Sequence, residues 1–210
     1  MSTFDVVVVG AGHNGLVSAA YLARAGLSVL VLERLGQVGG AAVNGAVFDG
    51  QTARVPRYAS VVSLMPPQIL EDLEVGVQLA PRPMASYTPV LRGGKPNALI
   101  VERPEGRATR NSFIGLTDGG REYDVWCSFY GEVAALTRVV WPTMLEPLPT
   151  ERGISEALDP ATFRELTTVP LGEILERRFA DDTVRGVIAS DALRGTFTSM
   201  TDGGLRQNRT

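Results

Sequence analysis

Cysteine, histidine and lysine are nearly absent from this sequence. Its 210 residues hold one of each: Cys127, His13 and Lys95. A single cysteine excludes an internal disulfide and a thiolate metal cluster. With one histidine beside it, neither a Ser-His-Asp triad nor a His-rich metal site is readily assembled, so no metal is expected. One lysine leaves almost no candidate for Schiff-base chemistry. A net charge of −3 without a dense Lys/Arg block gives nucleic-acid binding no support. No run approaches the roughly 18 apolar residues that a membrane-spanning helix needs. The opening "MSTFDVVVVGAG" lacks a basic leader and carries Asp5, so it is not read as a signal peptide. A reduced, cytoplasmic protein fits this composition. The arginine bias of the basic residues points to G/C-rich coding DNA and a bacterial source.

What is present is apolar and well organised at the start. At 44% hydrophobic residues the chain can bury a substantial core, as one large domain or one domain and part of another. "FDVVVV" (4–9) is a β-branched run without alternation, which predicts a parallel strand covered on both faces. "HNGLVSAAYLARAG" (13–26) has helical spacing, with Leu16, Ala19, Ala20 and Ala23 on one side and Gly26 placed to end it. "LSVLVLE" (27–33) reads as the second strand of a βαβ unit.

Beyond Gly40 the chain is rich in Gly, Pro and Arg. "SYTPVLR" (86–92) and "NALIVE" (97–102) read as strands of an antiparallel sheet, and "PPQILEDL" (66–73) as a short helix started by its prolines. Trp126, Phe129, Tyr130, Val133, Leu136 and Val140 recur at three- and four-residue steps, predicting a helix capped by Asp118 and stopped by Pro142. Cys127 falls within that pattern and is expected as a buried structural thiol. Two more helices are expected, around 171–179 and from Asp181 to about Leu193. "WPTMLEPLPTERG" (141–153) reads as a loop or hinge, and the polar tail "TDGGLRQNRT" as a fraying end.

Gly10, Gly12 and Gly15 form G-x-G-x-x-G within "GAGHNG". The motif follows a strand pattern and opens a helix, and Glu33 ends the next strand about 20 residues on, which completes the dinucleotide fingerprint. Gly10 permits the turn, Gly12 lets the backbone approach a pyrophosphate, and Gly15 lets helix and strands pack. Amide groups and the positive dipole of the helix start then face the phosphates, past Ala11, His13 and Asn14. Glu33 is placed to accept the adenosine ribose hydroxyls, which disfavours a 2′-phosphate. FAD and NAD share these features. The pair Gly39–Gly40 in "ERLGQVGGAA" (33–42) closely follows the acidic residue and resembles the first FAD-binding segment of a large flavoprotein class.

Taken with "YASVVSLMPPQILEDL" (58–73), "SYTP" (86–89) and "DDTVRGVIASDALRGTF" (181–197), these motifs make the chain similar to the N-terminal part of phytoene desaturase-like FAD-dependent oxidoreductases. The resemblance implies an α/β fold: a Rossmann-like FAD-binding βαβ unit over 1–75 and part of a mixed α+β substrate domain over 76–210. It implies hydride transfer from a small apolar substrate to the flavin, with FAD as cofactor and surface contact with a membrane consistent with such a substrate. In that family a later segment returns to close the FAD site, so a fragment, or a partner chain supplying that segment, is the expectation. Carotene desaturases often carry arginine after the glycine pair, where Ala41 stands here.

Other candidates have plainer alternatives. Asp181–Asp182 reads as a helix start rather than a catalytic carboxylate pair. Arg34 either reaches the adenine or diphosphate or stays solvated, while Arg57 and Tyr58 are candidates for the substrate side of the flavin. His13, at a variable loop position, is expected near the pyrophosphate and away from the chemistry. No catalytic residue is named. Two further readings remain open: an NAD-binding dehydrogenase module, and a non-catalytic nucleotide-binding remnant.

Overall fold

The computed structural model describes residues 3–59, 61–62, 64–117 and 119–209. The chain divides into two compact units, Met1–Leu79 and Ala80–Thr210.

In the first unit, β1 (Val6–Val9) and β2 (Val29–Leu32) pair in parallel, Val6 opposite Val29 through Val9 opposite Leu32. Helix α1 (His13–Arg24) connects them. Its end is closed in the Schellman manner: Leu27 N–H donates to Leu22 O, Gly26 N–H donates to Ala23 O, and Gly26 takes φ +88°. Asp5 and Ser28 clamp the strand entries, the Ser28 amide donating to Asp5 Oδ2 (2.8 Å) and the Asp5 amide to Ser28 Oγ (3.0 Å).

Two expectations are corrected here. The strands are not covered on both faces: Val7 is 51%, Val9 84% and Leu32 49% exposed. The described sheet has two strands with α1 on the Val8 side, so alternate residues on the other side stay bare. The covered face of α1 also runs through Gly15, Ala19 and Leu22, while Leu16 and Ala23 are exposed. Close approach at Gly15 turns the helix so that this row meets the strands.

A small antiparallel hairpin follows, β3 (Asn44–Ala46) with β4 (Arg54–Pro56), for which the sequence offered no alternation. Helix α2 (Pro67–Asp72) begins with proline at its first position, as expected. Tyr21 Oη donates to Asp72 Oδ2 at 2.7 Å, tying α1 to α2.

The second unit opens with β5 (Met84–Arg92) and β6 (Lys95–Glu102), an antiparallel hairpin turned by Gly93 and Gly94, both at positive φ. Helix α3 (Arg107–Thr117) runs beside β6 and closes its outer edge with side chains. Ile100 N–H donates to Ser112 Oγ (3.0 Å), Glu102 N–H to Thr109 Oγ1 (2.8 Å), and Ala98 N–H to Asn97 Oδ1 (2.8 Å). Glu102 Oε2 in return accepts from the Thr109 amide in the first turn of α3.

Then come α4 (Arg121–Val140), a 3-10 turn Trp141–Leu145, α5 (Glu151–Glu156), α6 (Pro160–Thr168), α7 (Leu171–Arg178) and α8 (Asp182–Ala192). Asp159 and Asp181 cap α6 and α8 through the amides of Thr162 and of Thr183 and Val184. The core gathers Leu99, Phe113, Trp126, Phe129, Leu175 and Phe179. Phe113 stacks edge-on to Trp126 at 5.1 Å, and Phe129 to Phe179 at 6.0 Å. Arg178 joins three helices, bonding Glu132 on α4 with two nitrogens (2.9 and 2.7 Å) and Glu165 on α6 (2.9 Å).

Several sequence expectations need amendment. Asp118 lies outside the described residues. Cys127 is exposed, because it sits one residue past Trp126 and so about a quarter-turn off the apolar row; its thiol reaches toward Glu105. Pro142 does not stop the chain from turning but converts it to 3-10, where a missing N–H costs nothing in the first turn. The 141–153 link is therefore partly helical. The tail is docked: Gln207 is 1% exposed, and Asn208 Nδ2 donates to Leu166 O (3.1 Å) and Val169 O (2.8 Å).

Candidate functional site

The site is built where β1 ends. Gly10 takes φ +99°, a conformation that side chains resist, and its N–H donates to Leu32 O at 2.7 Å. Gly12 precedes α1 with extended backbone and offers the helix start no side-chain cap; no acidic residue stands in the first turn. The first-turn amides of a helix have no partner within the helix, so this uncapped start leaves donors that can meet an anion. Gly15 is required by contact: a Cβ there would stand 2.1 Å from Gly10 O.

The second glycine segment returns to the first. Gly39 N–H donates to Ala11 O at 2.7 Å, and Gly12 and Gly39 form a parallel bridge. Gly39 and Gly40 both have positive φ, and a Cβ on residue 40 would stand 2.9 Å from Gly12 Cα. A Cβ on Gly12 itself would meet only Gly40 Cα at 3.9 Å, an ordinary contact. A Cβ on Gly12 would therefore be tolerated by the described residues around it.

Glu33 follows β2 and is half-buried. Its Oε2 accepts from Ala11 N–H at 2.7 Å and its Oε1 from Leu35 N–H at 2.9 Å. These amides, Leu35 first and then Ala11, hold its carboxyl below the usual carboxylate range. Ala11 is fully buried.

The structure thus brings Gly10, Ala11, Gly12, Gly15, Glu33, Gly39 and Gly40 together. His13 and Asn14 begin α1 and are exposed, as are Arg34 and Ala41, the latter in the 3-10 turn Gly40–Ala42. Arg57 lies over Gly45, where an added Cβ would stand 3.2 Å from Arg57 Nε, and Tyr58 is 78% exposed. Sequence reasoning missed the grip of Glu33 on Ala11 and Leu35. Its only trace in the sequence is an acidic side chain just beyond β2, which also fits ribose recognition.

In the second unit, a cleft of about 380 Å³ is lined by Thr117, Gly119, Arg121, Glu122, Ala180 and Asp181. Glu122 is 5% exposed and accepts from the amides of Ala180 and Asp181 (both 3.2 Å) and from Arg121 (2.7 Å), so its charge is spent within the fold. Among the described residues, no group of three or more His, Cys, Asp or Glu could hold a metal ion. No helix among them is long and apolar enough to cross a membrane.

Residues 8–71 match the NAD(P)-binding Rossmann-like domain, covering the glycine loop, Glu33 and the glycine pair. The first unit is thus Rossmann-like and similar to NAD(P)-binding domains. More particularly, the chain is 30% identical over 224 residues to pyridine nucleotide-disulfide oxidoreductase domain-containing protein 2 of Mus musculus, covering 93% of this chain and 38% of that protein. An uncharacterized protein of Mycobacterium tuberculosis is 45% identical over 215 residues, covering 98% of this chain and 39% of that one. All-trans-retinol 13,14-reductase of Macaca fascicularis is 37% identical over 117 residues, 53% of this chain and 17% of the reductase. Two of these relatives are named as an oxidoreductase-domain protein and a reductase, in line with the oxidoreductase resemblance read from the sequence. The chain spans about two-fifths of the length of the first two.

Proposed function

We propose that the first unit holds the ADP portion of FAD for an oxidoreductase in which a small apolar substrate gives hydride to the flavin. The observation that carries this reading is the meeting of two glycine segments: the uncapped start of α1 at Gly12, with Gly39–Gly40 packed against it. Gly12 has room for a Cβ as far as the protein is concerned, which fits a residue kept bare for a phosphate. FAD supplies the redox chemistry when bound. The residues of this chain bind and orient it: the amides around Gly12, His13 and Asn14 face the diphosphate, and the spare lone pairs of Glu33 accept ribose hydroxyls. Arg34 and Ala41 flank the same site.

The choice of FAD over NAD rests on the glycine pair, and the apolar substrate on the resemblance to desaturase-type enzymes and on the name of the retinol reductase. The second unit is read as part of the substrate domain, and the closing segment of the FAD site as contributed from outside residues 1–210. A cytoplasmic site of action, with surface contact to membranes for an apolar substrate, belongs to the same reading.

The test is titration of the purified chain with FAD and with NAD, followed by visible spectroscopy and thermal unfolding. The expected result is a raised melting temperature with FAD and retained absorbance near ~450 nm, a property of the cofactor itself. Stabilisation by NAD alone would make the chain a nicotinamide-nucleotide module. Indifference to both would make it a non-catalytic remnant.

A further inference from the structure

We infer that Glu33 is a positioning residue for the phosphate loop, fixing Ala11 and Leu35 whether or not a nucleotide is present. This rests on the dinucleotide-binding reading above and goes beyond recognition of a ribose.

Ala11 is gripped from two directions. Its N–H donates to Glu33 Oε2 at 2.7 Å, and its carbonyl accepts from Gly39 N–H at 2.7 Å. The next residue, Gly12, precedes α1, so fixing Ala11 fixes the direction in which the chain enters the helix. The other oxygen of the same carboxylate accepts from Leu35 N–H at 2.9 Å, at the head of the stretch that carries Gly39 and Gly40 back to the loop. One side chain therefore sets both glycine segments. The arrangement suits a carboxylate in particular: both oxygens accept, and each faces a donor. Glutamine can offer an acceptor to only one of the two amides, its NH₂ then facing the other N–H.

A residue that only read the ribose would leave the empty loop unchanged when replaced. A positioning residue would not. The experiment uses the full chain as wild type, Glu33→Gln and Glu33→Ala. Amide hydrogen exchange is followed without ligand, and ADP and 2′,3′-dideoxy-ADP are titrated by calorimetry. In Glu33→Gln, peptides covering 10–15 and 34–40 are expected to exchange about tenfold faster, with α4 unchanged, the loss of one charge-assisted bond being of that order. Affinity for both nucleotides is expected to fall by the same factor. Unchanged exchange, with affinity lost for ADP and not for the dideoxy form, would overturn the inference. Should Glu33→Gln unfold, Glu33→Asp keeps the charge, withdraws both oxygens by one methylene and carries the same expectations. A wild type that binds neither nucleotide would sink the dinucleotide reading, while the exchange data would still decide the bracing.

Discussion

The carbonyl oxygen of Gly10 stands 2.1 Å from the point where a Cβ on residue 15 would lie. Backbone oxygen at the end of β1 cannot swing aside as a flexible side chain would. Gly15→Ala should therefore push α1 off the sheet and destabilise the first unit by about 3 kcal/mol or more, as overpacked sites do. Gly36→Ala, where an added Cβ meets nothing within 4 Å, is the control and should be near neutral. Urea unfolding monitored by circular dichroism distinguishes them.

Gly12 and Gly40 separate packing from ligand approach. Gly40→Ala would place a Cβ 2.9 Å from Gly12 Cα at φ +57° and should disturb the clasp itself. Gly12→Ala should keep stability within about 1 kcal/mol, because its Cβ meets only an ordinary contact. It should nonetheless lower FAD affinity at least tenfold if a diphosphate passes there. Equal affinity in Gly12→Ala and wild type, measured by fluorescence titration, would count against that passage.

The first unit was the more legible part of the sequence for physical reasons that can be named. Four consecutive valines, a glycine loop and a helix ended by Gly26 are local signals, and each acts where it stands. The function of Glu33 was only half legible, since its partners Ala11 and Leu35 donate through backbone amides, which no side-chain pattern records. The exposure of Val9 and Cys127 was misread because burial depends on what packs opposite, which periodicity alone does not supply. Helices α3, α5 and α6 were missed for a similar reason. They are short or carry few apolar residues; in α3 the buried row is only Thr109, Phe113 and Leu116, and Thr109 and Ser112 add bonds to β6. The docked tail followed suit, as Asn208 holds the carbonyls of residues about forty positions earlier.

Arg178 contributes to the acid sensitivity of the second unit. Burial alone would raise the Glu165 carboxyl, but the guanidinium groups of Arg178 and Arg177 outweigh it and hold the group below its ordinary range. A depressed folded value means that this stabilisation is complete above the unfolded carboxylate value and is lost as pH falls through the folded one. Stability measured by urea unfolding should therefore decline in the acid range below the usual glutamate value. Arg178→Met should remove part of that decline and cost about 2 kcal/mol near neutrality, leaving Glu132 partly buried without its ion pair and Glu165 with Arg177 alone.

Asn208→Ala should detach the end of the chain. Two bonds to Leu166 O and Val169 O are lost, at the C-terminal end of α6 and just beyond it, where carbonyls lack helical partners. The expected cost is about 1–2 kcal/mol. Faster proteolysis beyond residue 200, with the rest of the second unit still resistant, would be its signature in limited digestion.

Asn97, Ser112 and Thr109 occupy the outward amides of β6, and this gives the hairpin a polarity of growth. A newcomer strand finds those donors already taken on the β6 side, so any widening of this sheet must proceed from β5. There Pro89 removes one donor from the ladder, and the joining strand would have to tolerate that gap in its register. The hairpin is in this sense a terminus on one side and a selective seam on the other.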